Sequence, residues 1–144
     1  MIRASYQLDI SSGSDEEPLG NIIFSNTVST VVIENTYVDS WFLCMIQSLK
    51  GLKSGDVKSL EILEEPYSID ISMDGTEIVL SYMGESLKGE YDEFWQELER
   101  SAYAFVSQVI SVGWGDNNET IKNLTGELKR LGCQIKNGVG VNLP

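Results

Sequence analysis

A chain of 144 residues with 42% hydrophobic content has the size and apolar share of one compact domain. Its longest unbroken apolar run, WFLCMI at 41–46, falls far short of the roughly 18–20 residues a membrane span needs. A net charge of −12 repels nucleic acid and anionic membranes and attracts basic proteins.

The N-terminal MIRASYQLDI has no apolar signal region, so nothing directs the chain to secretion. The same segment reads as a strand that ends at SSGSDEEPLG, whose Gly, Ser, Pro and acids mark a loop. NIIFSN and TVVIEN are β-branched runs that predict two further short strands or one broken strand. The period then changes. Val38, Trp41, Phe42, Met45, Ile46, Leu49 and Leu52 recur at three- and four-residue steps, which predicts a helix left at Gly55, with Leu43 and Cys44 widening its apolar stripe.

From Val57 to Tyr91 the pattern is strand and turn: VKSLEILEE, YSIDISM, TEIVLSYM and ESLKGEY. Asp74-Gly75 between two alternating runs predicts an antiparallel hairpin across 67–82. The longest helix is predicted in YDEFWQELERSAYAFVSQVISVG, with Phe94, Leu98, Ala102, Phe105, Val109 and Val112 on one stripe. A last helix starts from a cap at Asn117 or Asn118, runs through Ile121, Leu124, Leu128 and Leu131, and stops at Gly132. The tail CQIKNGVGVNLP adds an edge strand or lies over the surface. This order predicts an α+β fold, an antiparallel sheet with helices packed mainly on one face, with Trp41 and Phe105 in the core.

The chain has no histidine, which removes histidine-activated nucleophiles and most zinc chemistry, and it has no Ser-x-x-Lys pattern. Asp70, Ser72, Asp74 and Gly75 match the start of a calcium loop, but Ser81 stands where the bidentate glutamate belongs and the flanks read as strands. The glycine serves a turn. NGVGVN and GWG lack the spacing of a dinucleotide loop and the lysine of a phosphate loop. Cys44 and Cys133 lie far apart, outside any closely spaced pair, so they read as reduced thiols of a cytoplasmic protein, with Cys44 packed in the core. No metal or cofactor is called for.

Charge is unevenly placed. Residues 51–100 carry 4 bases and 13 acids, and GEYDEFWQELE at 89–99 alone has five acids and no base. Asp92 and Glu93 open the long helix, where its dipole favours negative charge. Glu64 and Glu65, adjacent acids just before Pro66, gain nothing from a dipole and are better placed to meet a cation. Paired carboxylates also admit glycosidase chemistry with Tyr91 or Trp95 against a sugar, yet 22 acids in a chain always furnish pairs.

YVDSWFLCMIQSLKGLKSG, then SLEILEEPYSIDI and YDEFWQELERSAYAFVSQV, resemble the small immunity proteins of bacterial contact-dependent growth inhibition and related polymorphic toxin systems. The similarity lies in a Trp41-bearing helix ending in Leu-x-x-Gly, a strand ending Glu64-Glu65-Pro66, a hairpin, and a helix opened by Glu93-Phe94, over residues 37–110. The resemblance implies a cytoplasmic antidote, with no catalysis of its own, that binds a cognate toxin domain and masks its functional surface. Many such toxins are nucleases with basic surfaces. Glu61, Glu64, Glu65, Tyr67, Glu90, Tyr91, Asp92 and Glu93 form the expected contact set, with carboxylates steering a basic protein surface and tyrosines anchoring it. An acidic adaptor or chaperone-like module is the competing reading, and a carbohydrate-active enzyme the third.

Overall fold

A computed structural model describes residues 1–9, 18–62, 65–113, 118–132, 134–135 and 141–142. The first three strands, β1 (Arg3–Leu8), β2 (Leu19–Ser25) and β3 (Thr30–Tyr37), form an antiparallel sheet in the order β1-β2-β3. Its alternation is that of a half-buried sheet. Ile2, Ala4, Ile22, Phe24, Val31 and Ile33 face the core, while Arg3, Ser5, Val32 and Glu34 face out. Asn26 makes the β2–β3 turn, its side-chain oxygen accepting from the backbone N–H groups of Val28 at 2.8 Å and Ser29 at 2.9 Å.

Before β3 ends, the register slips between Gly20 and Ile22. The extra residue is taken up near Asn35, which holds φ at +49° and receives the Asn21 side-chain oxygen on its N–H at 3.1 Å. The strand then feeds directly into α1 (Val38–Leu49). This helix stops earlier than the apolar period suggests, because Gly51 adopts φ +69° after the cap at Lys50. Leu52 is still buried, from the loop, so it continues the stripe without belonging to the helix.

Four more strands form a second antiparallel sheet in the order β4-β5-β6-β7: β4 (Val57–Leu60), β5 (Ile69–Asp74), β6 (Glu77–Tyr82) and β7 (Glu85–Glu90). The expected 67–82 hairpin is present as β5 and β6. Asp74 pairs with Glu77, so the turn residues are Gly75, at φ +63°, and Thr76, one step later than Asp74-Gly75. β4 ends at Leu60, opposite the first residue of β5, and Glu61 therefore lies beyond the strand. Leu60, Ile69, Ile71, Ile78, Leu80 and Leu87 are buried on one face. The side chains of Asp70, Ser86 and Lys88 occupy the uncovered face.

α2 (Tyr91–Ser111) follows β7 without a break and packs along β1, and α3 (Glu119–Arg130) packs against α1. The α2 stripe holds as read from the sequence up to Val109, whereas Val112 is the C-cap and is exposed. Asn118 caps α3, its side-chain oxygen accepting from the Ile121 N–H at 3.0 Å, and Gly132 follows the helix with φ +92°. Asn117 and Cys133 lie outside the described residues. The short pair β8 (Gln134–Ile135) and β9 (Val141–Asn142) places two strands in the tail.

The architecture is α+β, and among the described residues β1 to β7 are divided between two antiparallel sheets whose inner faces share one core with α1, α2 and α3. Trp41 and Phe105 are both fully buried. The Trp41 indole N–H donates to the Thr36 hydroxyl at 2.8 Å, satisfying a polar group that would otherwise be costly to bury. Tyr6, Phe42 and Phe105 form an aromatic group with centroids 5.4 to 6.0 Å apart. Cys44 is half-buried against this core, and burial raises its thiol pKa, with a hydrogen bond from Ser48 acting the other way. The buried Glu127 carboxylate ties α3 to the end of α1 by accepting from Lys50, and takes Arg130 at 2.8 Å. Among the described residues no helix is long and apolar enough to cross a membrane.

Candidate functional site

Many of the described acids of the middle third fall in two groups at opposite ends of the four-stranded sheet. One group surrounds the β5–β6 turn. There Glu77 stands directly opposite Glu90, and Asp74 is its neighbour across the hairpin. Lys88 answers this charge with ion pairs to Asp74 at 3.1 Å and to Glu77 at 3.6 Å. The Asp74 hydrogen bond and charge, then those of Glu77, hold the Lys88 pKa above its ordinary value. Asp74 thus flanks the hairpin turn and joins an ion pair that the sequence pattern did not announce.

Glu90 is the N-cap of α2, and Asp92 and Glu93 are exposed in its first turn. Tyr91 has structural work. Its N–H donates to the Thr76 carbonyl at 3.0 Å, its hydroxyl donates to the Leu49 carbonyl at 2.6 Å, and its ring stacks on Trp95 at 6.4 Å. Burial foremost, then the Asp92 charge, raises its hydroxyl pKa. A residue held at three points, by its backbone, hydroxyl and ring, is a brace between the sheet, α1 and α2.

The other group lies where β5 begins and β6 ends. β6 has six residues, so at roughly 3.3 Å per residue this end is about 17 Å from the Glu77–Glu90 pair. Tyr67 is 50% exposed, and its ring meets Tyr82 edge to face at 6.3 Å. Beyond Tyr82 the β6–β7 hairpin turns through Met83 at φ +49° and Gly84 at φ +85°. Two positive φ values suit a tight hairpin turn, but a methionine there is strained where asparagine would be at ease. The Met83 side chain projects 61% exposed.

Around these three side chains stand Glu61, Glu65 and Glu85. Glu65 is partly buried and Glu61 and Glu85 are exposed. Burial foremost, then the charge of Glu65 and the neighbouring Tyr67, pushes the Tyr82 hydroxyl above its ordinary pKa. Among the described residues none of these three carboxylates has an ion-pair partner. Glu64 lies outside the described residues.

The expected contact set is therefore brought together as two groups, Glu61, Glu65 and Tyr67 at one end and Glu90, Tyr91, Asp92 and Glu93 at the other. Tyr82, Met83 and Glu85 complete the first group and were not singled out from the sequence. Their signal is Gly84, which separates TEIVLSYM from ESLKGEY and marks a second tight turn.

A groove of about 490 Å³ also opens between β1 and α2, lined by residues that include Tyr6, Leu8, Arg100 and Ala104. The Tyr6 hydroxyl crosses it to the Gln108 side-chain oxygen at 2.9 Å. Its acid, Glu97, is paired with Arg100 at 3.2 Å. No protein-family model, curated protein or solved structure matches the chain.

Proposed function

We propose that the chain is an immunity protein of a bacterial contact-dependent inhibition or related polymorphic toxin system. In this reading it acts in the cytoplasm, binding a cognate toxin domain with a basic surface and masking that surface, without catalysis, nucleic acid or membrane. The observation that supports it best is the tip where Tyr67 and Met83 are exposed on either side of the partly buried Tyr82, with three carboxylates around it that have no ion-pair partner among the described residues. Aromatic residues and methionine are enriched at the centres of protein interfaces, and a charged rim sets association rate and partner choice. The opposite end is a poorer contact, because Lys88 already answers Asp74 and Glu77, and Tyr91 is engaged within the fold.

Expression of the chain should protect cells that produce the toxin domain encoded directly upstream, and should not protect against unrelated toxins. Reversing Glu61 and Glu65 to Lys should slow association at least tenfold at low salt, with stability changed by less than about 0.5 kcal/mol. No rescue by the wild type defeats the immunity reading and leaves an acidic binding module.

A further inference from the structure

We propose that the Tyr67–Tyr82 end of the four-stranded sheet takes an arginine of the partner protein, its guanidinium lying on the open Tyr67 ring and pairing with the carboxylates beside it. The inference rests on the reading above, that the chain binds a basic protein, and names which cation it selects.

Charge at this end favours a cation. Glu61, Glu65 and Glu85 share this end with no ion-pair partner among the described residues; at the opposite end Lys88 pairs with Asp74 and Glu77 and leaves Glu90, Asp92 and Glu93 without one, so it is the half-exposed Tyr67 ring, where Tyr91 is engaged within the fold, that sets this end apart. The rings decide between the two basic side chains. Tyr67 spends one contact on Tyr82, edge to face at an interplanar angle of 87°, and remains half exposed, so ring surface is free for a planar group. A lysine ammonium is compact and strongly hydrated, and would pair with a carboxylate while leaving the rings largely unused. A guanidinium sheds water more readily, stacks on an aromatic face and offers parallel N–H donors to a carboxylate. Met83 beyond Tyr82 adds a polarizable apolar wall for the arginine stem.

The test uses acetyl-tetraarginine amide and acetyl-tetralysine amide as probes, titrated into the whole protein at low salt and followed by NMR. The wild type should bind the arginine peptide about two- to five-fold more tightly than the lysine peptide, the gain expected of an exposed cation–π contact. Shifts should centre on Tyr67, Tyr82 and Glu65. Tyr67→Leu, which keeps net charge and apolar bulk, should remove the preference, and Tyr67→Phe should retain it. Equal binding of both peptides, a preference that survives Tyr67→Leu, or shifts centred on Glu90 to Glu93 would overturn the inference. Rescue of cells by Tyr67→Leu at wild-type strength would overturn it too, while leaving the immunity reading in place.

Discussion

Replacing Gly20 by alanine and replacing Gly126 by alanine are the same chemical change with opposite expected signs. A Cβ on Gly20 would sit 2.0 Å from the backbone oxygen of Gln7 and 3.0 Å from Leu8 Cα. Neither atom can rotate away, so β1 and β2 must part along their shared edge. Overpacking of a filled interior costs typically about 1–3 kcal/mol, and a clash with backbone belongs at the top of that range. Gly126, inside α3, would place its Cβ with nothing within 4 Å. There the helix gains about 0.5–1 kcal/mol from alanine's better propensity and the stiffer unfolded chain. At roughly 2–4 °C per kcal/mol for a domain of this size, Gly20→Ala should lower Tm by about 6–12 °C and Gly126→Ala should raise it by about 1–4 °C. Urea unfolding should show both shifts in midpoint with slopes close to wild type. A Gly20→Ala protein within 2 °C of wild type, or a destabilised Gly126→Ala, would refute the reasoning.

Met83→Asn should stabilise the protein by about 0.5–1 kcal/mol in urea unfolding, since asparagine tolerates the positive φ at this turn, and should weaken binding to a partner that covers the tip. The alkaline limb should be steep. Tyr6, Tyr82 and Tyr91 all have hydroxyl pKa values raised by burial, so their contribution is fully present below the unfolded value near 10 and is lost as pH rises through the folded values. Unfolding curves at pH 8 and pH 11 should therefore differ less in Tyr91→Phe than in the wild type. The same variant should be about 1 kcal/mol less stable at pH 8, for want of the bond to the Leu49 carbonyl.

Local chemistry made much of this fold legible. Gly75 and the alternation on either side of it announce the β5–β6 hairpin, because a tight turn needs a positive φ and a half-buried strand needs a period of two. The α2 stripe was readable for the same kind of reason. The end of α1 was not, since Leu52 buries itself from a loop at the spacing the helix would have used, and an apolar period cannot tell the two apart. The division of β1 to β7 between two sheets was hidden as well. It depends on which edges meet, and those are settled by contacts such as Asn26 Nδ2 donating to the Lys88 carbonyl at 3.4 Å and Gly89 lying against Ile2.

The candidate site was half legible for a related reason. Glu61, Glu65 and Tyr67 are close in sequence, as are Glu90 to Glu93, so each group could be seen, but their separation is fixed by register. The pairs Tyr82 with Glu85 and Glu77 with Glu90 put the two groups at opposite ends of β6. Register also decides which acids are spoken for. Lys88 lies between Glu77 and Asp74 because β7 pairs with β6 in that frame, and a one-residue slip would turn its side chain to the core face. Net charge says only that a cation is wanted somewhere. The pairing of strands sets Glu61, Glu65 and Glu85, which have no ion pair among the described residues, beside two tyrosines and a methionine held out on a strained turn. Composition drew attention to GEYDEFWQELE, a long acidic run, and there the fold sets Glu90, Asp92 and Glu93 at a helix start, pairs Glu97 with Arg100 and uses Tyr91 as a brace. The sparser acids at the other end are the ones that stand beside a half-exposed aromatic ring and an exposed methionine.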